Sequence, residues 1–315
     1  MTTKIGISGF GRIGRLVARA AIMDPEVELV AINSTADPEN TARLFKYDST
    51  HGTFQGDVSF DDSHLIVNGK SIPLFCDRDP KNLKWGLYGT EIVIDSTGAF
   101  RTIETAGAHL GDTVKKVIIT APSSDAQMIV MGVNQEAYDP SQPVVSNASC
   151  TTNCLAPVTK VIHENFTIEA AAMTTVHAFT NDQNNLDNRH KDPRRARGCT
   201  QSIVPTSTGA AKAMGKVIPA LNGKMNGFSV RVPTPNVSLV DVVFQLKESP
   251  SVEEVNALLK AAAEGELKGI MGFSDEPLVS IDYNGDSRSS IVDGLSTMKV
   301  GEHLIKVVAW YDNEW

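Results

Sequence analysis

Three glycines near the start of the chain constrain its fold more than any other feature. Gly9, Gly11 and Gly14 have G-x-G-x-x-G spacing and lie between a short apolar run at residues 4–8 and a helical apolar pattern that begins at Leu16. In a strand–turn–helix unit the first glycine permits a tight turn, the second lets the backbone approach a pyrophosphate, and the third lets helix and strand pack closely. The pattern therefore predicts a dinucleotide-binding domain, with a ligand-free glycine turn as the alternative. Its predicted cofactor loop consists of Gly9, Phe10, Gly11, Arg12, Ile13 and Gly14.

The segments that follow the glycines predict a parallel sheet. Apolar runs at residues 27–32, 92–94, 117–119 and 144–145 lead into loops that are rich in serine, threonine and other small residues. Near-continuous apolar strands suit a parallel sheet that is covered on both faces and binds its ligand at the carboxyl edge. We therefore expect a doubly wound α/β (Rossmann) domain over residues 1–149.

The end of the second predicted strand bears on the choice of cofactor. About 20 residues after the glycines, an NAD site normally presents an acidic residue to the ribose 2′-hydroxyl. This chain has Asn33 and Ser34 there, and the next acidic residue is Asp37. A carboxylate would repel a 2′-phosphate, whereas an amide and a hydroxyl would tolerate one. The sequence favours NADP over NAD, and the alternative is that Asp37 reaches back to the ribose.

The second half of the chain has a different pattern. Long, partly alternating apolar stretches occur at residues 171–179, 227–232, 237–244 and 304–310, and residues 253–264 have a clear helical pattern. Long strands without regular crossover helices predict an α+β domain with a mostly antiparallel sheet. We expect this catalytic domain to cover residues 150–315.

Cys150 lies at the junction of the two predicted domains. A strand is expected to end at Ser146, and apolar residues at helical spacing begin at Leu155, which places the thiol at or near a helix N-terminus. The helix dipole and unpaired N–H groups favour a thiolate at such a position. The alternative is an ordinary buried cysteine in a strand–helix turn. Cys154, one helical turn further on, is too close for an easy helical disulfide.

His177, in a predicted strand of the second domain, is the candidate base for Cys150. A cysteine at a helix start and a histidine from a sheet form the pair that thiol catalysis needs. An imidazolium would lower the pKa of the thiol, and a neutral imidazole would accept a proton in a later step. The alternative is a structural histidine within the strand.

Candidate anion sites also lie in the second half. The segment at residues 181–200, called the basic loop below, combines several arginines with little apolar content, and is either a solvated surface or a loop that binds anions or a subunit. A hydroxyl-rich turn at residues 205–211 enters a predicted helix and suits a phosphate. Arg231 on the following strand offers a bidentate contact to phosphate.

The bulk composition excludes several classes of protein. The 315 residues are 41 % hydrophobic, and the formal net charge of −8 argues against nucleic acid as the main partner. No run approaches the roughly 18 apolar residues that a membrane span requires. With four cysteines and no leader pattern at its start, the chain is expected to be cytoplasmic, with reduced thiols and no metal site.

Several motifs together resemble phosphorylating glyceraldehyde-3-phosphate dehydrogenase, and the resemblance extends over essentially the whole chain. They lie at residues 9–15, 47–52, 149–154, 194–197, 231–238 and 310–314, and the Ser-Cys-Thr-Thr-Asn-Cys motif around Cys150 is the most specific. The resemblance implies a homotetramer in which Cys150 attacks the aldehyde of glyceraldehyde 3-phosphate and His177 assists as base. Hydride would pass to the nicotinamide, and inorganic phosphate would cleave the resulting thioester to give 1,3-bisphosphoglycerate.

The resemblance also implies roles for residues that match the family's motifs. The inorganic-phosphate site of the family is matched by Ser149, Thr151, Thr208, Gly209 and Arg197. The site for the phosphate of the substrate is matched by Thr180 and Arg231. The residue that orients the nicotinamide amide is matched by Asn313, and further cofactor contacts are matched by Arg78, Thr97, Gly98 and Thr120.

The chain departs from the family's usual pattern in places that bear on the cofactor and on the chain end. Ser34 replaces the usual ribose-reading aspartate, and Asn188 and Arg189 replace a Leu-Pro pair in the loop that reaches the adenosine of a neighbouring subunit. A cationic Arg189 would favour a 2′-phosphate, so the resemblance is to a bacterial, gluconeogenic isoform that prefers NADP. Family members also continue past the closing motif into a C-terminal helix, which is absent from this sequence.

Two other functions remain open from the sequence. Erythrose-4-phosphate dehydrogenase uses the same scaffold and would not need inorganic phosphate. A non-catalytic NADP-binding regulatory or surface-binding protein is the alternative of another class, and it would require an unreactive thiol.

Overall fold

The computed structural model describes residues 2–315, which form two compact units. Unit 1 comprises the residues up to Ile129, residues 137–148 and Trp315, and unit 2 comprises residues 130–136 and 149–314. Each unit is built around its own sheet. The domain limits of 1–149 and 150–315 stay a prediction.

Parallel strands dominate unit 1, as the apolar runs predict. The strands are β1 (Thr3–Ser8), β2 (Val27–Asn33), β3 (Tyr47–Asp48), β4 (Gly52–Thr53), β5 (Val58–Phe60), β6 (His64–Val67), β7 (Lys70–Phe75), β8 (Ile92–Asp95), β9 (Lys116–Ile119), β10 (Gln127–Met128) and β11 (Val144–Ser146). Within the described residues, a nine-stranded sheet has the order β10-β11-β9-β8-β1-β2-β7-β6-β5, and β3 pairs separately with β4. The strands from β10 to β7 pair in parallel, and β5 and β6 add an antiparallel edge.

The register of this sheet brings several strand ends to one edge. Ser8 at the end of β1 pairs with Asn33 of β2 and with Asp95 of β8. The apolar side chains of the inner strands are buried, with Ile7, Ile32 and Val93 fully inaccessible to solvent. The helices of unit 1 are α1 (Arg12–Met23), α2 (Pro38–Lys46) and α3 (Ile103–Ala106). The observed architecture confirms the predicted Rossmann fold.

Unit 2 has a mostly antiparallel sheet, as predicted. The strands are β12 (Ile168–Ala178), β13 (Val204–Ser207), β14 (Met225–Val232), β15 (Ser238–Leu246), β16 (Met271–Ser274), β17 (Ser290–Asp293), β18 (Met298–Val300) and β19 (Leu304–Tyr311). In the part of the chain that is described, seven of them follow the order β13-β14-β12-β15-β19-β17-β16, and β18 pairs with β19. Two pairs, β12 with β14 and β16 with β17, are parallel.

The helices of unit 2 are α4 (Cys150–Asn165), α5 (Ala210–Val217) and α6 (Val252–Glu264). The apolar face of α4 is buried, including Leu155, Val158 and Ile162, which explains the helical spacing seen in the sequence. This packing fixes the N-terminus of α4, and with it Cys150, against the sheet. No helix within residues 2–315 is long and apolar enough to cross a membrane.

Candidate active site

Cys150 is the first residue of α4, and a tight turn presents it there. Ser149 is the N-cap, and its Oγ accepts a hydrogen bond from the Thr152 N–H group at 3.1 Å. Ala148, two residues after the end of β11, is buried and has φ of 59°. This left-handed conformation is uncommon for a residue other than glycine and costs about 1–3 kcal/mol. The Ser146 hydroxyl holds this turn, since it accepts from the Ala148 N–H group at 3.1 Å and donates to the Ala121 carbonyl oxygen at 2.6 Å. The turn that follows β11 is therefore strained, and a buried hydroxyl group holds it.

His177 faces this thiol from the end of β12. Its Nε2 atom lies 3.4 Å from Sγ of Cys150, and its Nδ1 atom lies 2.7 Å from the carbonyl oxygen of Ala178. Nδ1 also lies 2.8 Å from Nη1 of Arg231, which can only donate a hydrogen bond, whereas the Ala178 carbonyl oxygen can only accept one, so the two contacts favour opposite tautomers. In the tautomer with the proton on Nδ1, the lone pair of Nε2 faces the thiol. The structure thus brings the predicted nucleophile and base together in the geometry of a general base.

The charge state of the pair is set by burial and by Arg231. Burial and the charge of Arg231 lower the pKa of His177 to about 3. Burial raises the pKa of the Cys150 thiol, although the charge of Arg231 and hydrogen bonding with Thr151 act in the opposite direction. Of the two roles that the sequence allows for His177, this arrangement favours the neutral base over an imidazolium that activates the thiol at rest. The helix N-terminus alone does not offset the burial of the thiol.

A buried tyrosine that the sequence analysis does not single out braces both groups. The Tyr311 hydroxyl lies 2.7 Å from Oγ1 of Thr151 and 2.9 Å from Oγ1 of Thr175. Its ring meets the His177 ring edge-on, with centroids 5.9 Å apart. Tyr311 therefore connects the residue beside Cys150 to the strand that carries His177. Its place in the closing motif at residues 310–314 is the signal that could have identified it.

Two arginines of the basic loop differ in their exposure and in their partners. Arg197 pairs with Asp187 at 2.8 Å, and its side chain is 66 % exposed. Arg195 is only 18 % exposed, pairs with Asp182, and donates from Nε to Oγ1 of Thr206 at 2.6 Å. Burial of the Arg231 guanidinium lowers its pKa, and the positive charge of Arg195 adds a smaller effect in the same direction. Arg195 therefore lies in the electrostatic surroundings of Arg231, and the assignment of Arg197 to the inorganic-phosphate site stays a prediction.

The remaining predicted phosphate residues lie at the start of α5 and in the basic loop region. Oγ1 of Thr208 accepts a hydrogen bond from the Ala210 N–H group at 3.2 Å. Gly209 caps α5 without a side-chain hydrogen bond, and a Cβ atom there would meet nothing within 4 Å. Thr180 donates from its backbone N–H group to Oε1 of Gln183 at 3.0 Å. The N-terminus of α5 is thus open to an anion, which is where the sequence predicts one.

The glycine loop of unit 1 has the geometry that a pyrophosphate needs. A Cβ atom on Gly14 would lie 2.0 Å from the carbonyl oxygen of Gly9, and Gly9 itself has φ of 88°. A Cβ atom on Gly11 would meet nothing within 4 Å, and Gly11 caps α1 without a side-chain hydrogen bond. The open second glycine and the crowded first and third match the roles expected from the motif. These residues fit a dinucleotide.

The loop borders a cavity of about 470 Å³ at the carboxyl edge of the sheet. The cavity is lined by Ser8, Gly9, Phe10, Gly11, Asn33, Ser34, Thr35, Ala36, Asp77, Arg78, Pro80, Ser96, Thr97, Ala99 and Phe100. Predicted cofactor residues of unit 1 that fall outside this lining are Arg12, Ile13, Gly14, Gly98 and Thr120. Arg12 instead pairs with Asp48 at 3.1 Å.

The ribose end of the cavity contains polar but few acidic groups. Asn33 is fixed by two hydrogen bonds to the backbone of Asp77, and the buried Oγ of Ser34 lies 3.1 Å from Oγ1 of Thr41. Asp37 caps α2 through the N–H group of Asn40 at 2.8 Å and does not line the cavity. The geometry thus gives no support to the alternative in which Asp37 reaches back to the ribose.

Two charged side chains line the cavity, those of Asp77 and Arg78. The Asp77 carboxylate accepts from the Asp79 N–H group at 2.8 Å and from Nδ2 of Asn82 at 3.0 Å. The Arg78 guanidinium has no hydrogen bond or ion pair with any of residues 2–315. The cation is therefore available to an anionic ligand, whereas the carboxylate is already engaged.

A buried chain of hydrogen bonds supports Thr97 at the wall of the cavity. Its N–H group and its hydroxyl both donate to Oδ1 of Asp95, at 3.0 and 2.7 Å. The other oxygen of Asp95 lies 3.1 Å from Nε2 of His109, and the indole N–H of Trp85 donates to Nδ1 of His109 at 3.2 Å. Sequence patterning misses this support, because the three residues are far apart in the chain.

The remaining predicted cofactor residues belong to unit 2. Asn188 and Arg189 lie on the exposed part of the basic loop, where Oδ1 of Asn188 accepts from the Arg189 N–H group at 2.7 Å. Asn313 is buried and accepts a hydrogen bond on Oδ1 from the Ser238 hydroxyl at 2.7 Å.

Comparison with known proteins gives two family matches that together cover most of the chain. The family described as "Glyceraldehyde 3-phosphate dehydrogenase, NAD binding domain" matches residues 3–103. The family described as "Glyceraldehyde 3-phosphate dehydrogenase, C-terminal domain" matches residues 149–313.

Similar curated proteins include "Glyceraldehyde-3-phosphate dehydrogenase" of Geobacillus stearothermophilus, which is 57 % identical over 100 % of this chain and 94 % of its own length. "Glyceraldehyde-3-phosphate dehydrogenase 1" of Bacillus cereus is 58 % identical over 99 % of this chain and 94 % of its own length. The protein of Danio rerio with the same family name is 52 % identical over 99 % of this chain and 94 % of its own length.

Proposed function

The chain belongs to the glyceraldehyde-3-phosphate dehydrogenase family, and on that premise we propose which residues carry its reaction and which cofactor it prefers. It is an NAD(P)-dependent, phosphorylating aldehyde oxidoreductase of central carbon metabolism. The observation that carries the residue assignment is the 3.4 Å approach of Nε2 of His177 to Sγ of Cys150. We assign the proton of the neutral imidazole to Nδ1, where the Ala178 carbonyl oxygen accepts it at 2.7 Å.

In the proposed reaction, Nε2 of His177 takes the proton of the Cys150 thiol as Sγ bonds to the carbonyl carbon of glyceraldehyde 3-phosphate. His177 returns this proton to the former carbonyl oxygen, so that a thiohemiacetal forms, and it then accepts the proton of the thiohemiacetal hydroxyl as the carbon is oxidised. The nicotinamide of the bound dinucleotide is the hydride acceptor. Phosphate attacks the resulting thioester, the C–S bond breaks, His177 gives its proton to Sγ, and 1,3-bisphosphoglycerate leaves with the Cys150 thiol restored. The thioester conserves the energy of oxidation in the acyl phosphate.

Anion binding in this proposal uses both phosphates of the reaction. We assign the substrate phosphate to Thr180 and Arg231, and inorganic phosphate to Ser149, Thr151, Thr208 and Gly209. Arg195 is added to this set because its charge acts on Arg231 and its side chain is largely buried. Arg197 is the weaker candidate because it is exposed and paired with Asp187.

The test of the reaction is the initial rate with glyceraldehyde 3-phosphate, with and without inorganic phosphate. We expect phosphate-dependent turnover that falls by several orders of magnitude in Cys150→Ser and His177→Asn. Turnover that does not need phosphate, and is faster with erythrose 4-phosphate, would contradict the assignment of substrate. An unreactive Cys150 with normal dinucleotide binding would contradict the assignment of an enzyme.

We propose NADP as the preferred cofactor, with NAD as the alternative substrate. Support comes from three positions: Ser34 without a nearby free carboxylate, the unpaired guanidinium of Arg78 in the same cavity, and Arg189 on an exposed loop. The ratio of kcat/KM for NADP to that for NAD should fall in Arg78→Ala and should invert in Ser34→Asp with Arg189→Leu. Asp37→Asn is the matched control, since asparagine also caps helices well. Unchanged selectivity in the double variant, or altered selectivity in the control, would overturn the proposal.

We also propose a cytoplasmic homotetramer. Exposed apolar side chains at and beside the basic loop, Leu186, Ile203 and Phe228, support a subunit contact there. Light scattering coupled to gel filtration should give a mass of about four chains, and a monomer at micromolar concentration would contradict the assembly.

A further inference from the structure

The backbone just before β15 contains a strained residue that the sequence does not predict. Val237 has φ of 67° and is 3 % exposed, although β-branched side chains strongly disfavour the left-handed region. It packs in a small apolar cluster with Tyr283 and Ile291. Strain of this kind persists where the surroundings fix it, and it concentrates at functional sites.

The turn at Val237 delivers Ser238 to a point between two parts of the active site. Ser238 is 1 % exposed, and its Oγ accepts a hydrogen bond from the Ala178 N–H group at 3.0 Å. The same hydroxyl donates to Oδ1 of Asn313 at 2.7 Å. Ala178 is also the residue whose carbonyl oxygen holds Nδ1 of His177. One hydroxyl group therefore joins the segment of the candidate base to Asn313.

Asn313 is left with an unused donor. The residue is 9 % exposed, its Oδ1 atom is occupied by Ser238, and its Nδ2 atom has no hydrogen-bond partner among residues 2–315. This nitrogen is not among the fully buried polar atoms without a partner, so it is open to solvent and can donate to a ligand that approaches it. Because a hydroxyl donor fixes the oxygen of this amide, the nitrogen is the end that remains for the ligand.

We propose that Ser238 is a positioning residue that turns the Asn313 amide so that its N–H₂ group is presented to the carboxamide oxygen of the nicotinamide. This rests on the proposed role of Asn313 in cofactor binding. Ser238 itself does not touch the cofactor in this arrangement. Its hydroxyl group binds Oδ1 of Asn313, so that Nδ2 is the end of the amide that faces the ligand. Its second hydrogen bond, from the Ala178 N–H group, fixes this orientation relative to the strand of His177.

The test compares two ligands that differ in the nicotinamide. Dissociation constants of NAD⁺ and ADP-ribose are measured by calorimetry on the intact protein. In Ser238→Ala we expect the dissociation constant of NAD⁺ to rise about three- to tenfold, the loss of one hydrogen bond, with that of ADP-ribose unchanged. Ser238→Thr retains the hydroxyl and should restore most of the affinity for NAD⁺. Equal weakening of both ligands would show a merely structural role and overturn the proposal.

Two further variants complete the design. Ser229→Ala is the matched control, because Ser229 is also 1 % exposed in the same unit and its Oγ has no partner within residues 2–315. Neither ligand should respond to it. In an Asn313→Ala background, Ser238→Ala should have no further effect on NAD⁺ binding, and a full additional effect would overturn the coupling.

The Asn313→Ala variant distinguishes the role of Ser238 from the underlying proposal that Asn313 binds the nicotinamide. If Asn313→Ala selectively weakens NAD⁺ while Ser238→Ala does not, the role of Asn313 stands and the role of Ser238 is wrong. If Asn313→Ala affects neither ligand, the nicotinamide assignment fails and the role of Ser238 fails with it.

Discussion

Nη1 of Arg231 lies 2.8 Å from Nδ1 of His177, at the ring nitrogen that faces away from Cys150. The same guanidinium donates to the Ala178 carbonyl oxygen at 3.1 Å, the oxygen that also holds Nδ1. A permanent cation at this distance opposes a second proton on the imidazole and favours a negative charge on the thiol. Arg231 thus acts on both members of the catalytic pair, besides its proposed contact with the substrate phosphate.

Removal of this cation should make Cys150 less reactive. Because the charge of Arg231 lowers the pKa of the thiol, Arg231→Gln should raise it and move the pH–rate curve for alkylation by iodoacetamide to higher pH. At neutral pH, Arg231→Gln should therefore alkylate more slowly than the unchanged protein. Arg43→Gln, which removes an exposed arginine of unit 1, is the control. An unchanged curve in Arg231→Gln would contradict the electrostatic assignment.

The buried His177 should make the protein sensitive to acid. Its pKa is about 3 in the native state, against about 6.5 for an unperturbed histidine, because burial and Arg231 disfavour the charged form. Between pH 6.5 and pH 3, His177 therefore binds a proton in the unfolded chain but not in the native protein. The stability is fully present above pH 6.5 and falls by about 1.4 kcal/mol per pH unit toward pH 3 from this group.

Urea unfolding at several pH values tests this expectation. Between pH 6 and pH 4.5, His177→Gln should show a smaller loss of the free energy of unfolding than the unchanged protein, since the carboxyl groups are common to both. Cys150→Ser should keep the full slope. Parallel pH profiles for the unchanged protein and His177→Gln would show that the imidazole takes up its proton in the native state.

Loss of the Tyr311 hydroxyl should cost both stability and rate. Tyr311→Phe leaves the hydroxyls of Thr151 and Thr175 without this partner in a buried place, so we expect a loss of about 1–3 kcal/mol in the free energy of unfolding. The kcat should fall as well, because Thr151 adjoins the nucleophile. Tyr47→Phe, at a tyrosine that is 61 % exposed, should remain within about 0.5 kcal/mol. Comparable stability of the two variants would contradict the bracing role.

Two glycine substitutions should separate packing from ligand approach. Gly14→Ala places a Cβ atom 2.0 Å from the Gly9 carbonyl oxygen, so it should lower the melting temperature and abolish dinucleotide binding. Gly11→Ala meets open space, so it should leave the melting temperature unchanged while it weakens dinucleotide binding at least tenfold. Calorimetry and thermal unfolding measure both effects. Normal binding by Gly11→Ala would show that the pyrophosphate lies elsewhere.

The sequence predicts those parts of the fold that depend on a periodic apolar pattern or on glycines at sterically crowded positions. The glycine spacing and the apolar runs indicate the Rossmann unit. The helical spacing from Leu155 onward predicts a helix with Cys150 at or near its N-terminus, and Cys150 is the first residue of α4. The mixed pairing in unit 2 is not predicted, because an apolar alternation in β12 does not specify that β14 lies beside it in parallel.

Site residues in irregular segments are harder to predict. Residues 179–203 contain no described helix or strand, so spacing cannot tell whether Arg195 or Arg197 turns inward. Val237 is another example, since nothing in its residue type indicates a left-handed backbone. The role of Tyr311 depends on hydroxyls at positions 151 and 175, which come together only when β12, β19 and α4 are assembled.

The carbonyl oxygen of Ala178 has a consequence for how this site would look in a mutational scan. In many hydrolases a carboxylate side chain orients the histidine, and its replacement reveals it. Here the orienting atom belongs to the main chain, and every amino acid supplies it. A scan would therefore find tolerance at position 178 wherever the new side chain fits. It would detect the side chains of Cys150, His177 and Arg231 and miss the main-chain acceptor beside them. Side-chain substitution cannot remove the carbonyl oxygen of residue 178. Its contribution would be measured only in a protein made by chemical synthesis with a weaker acceptor, such as a thioamide, at that position.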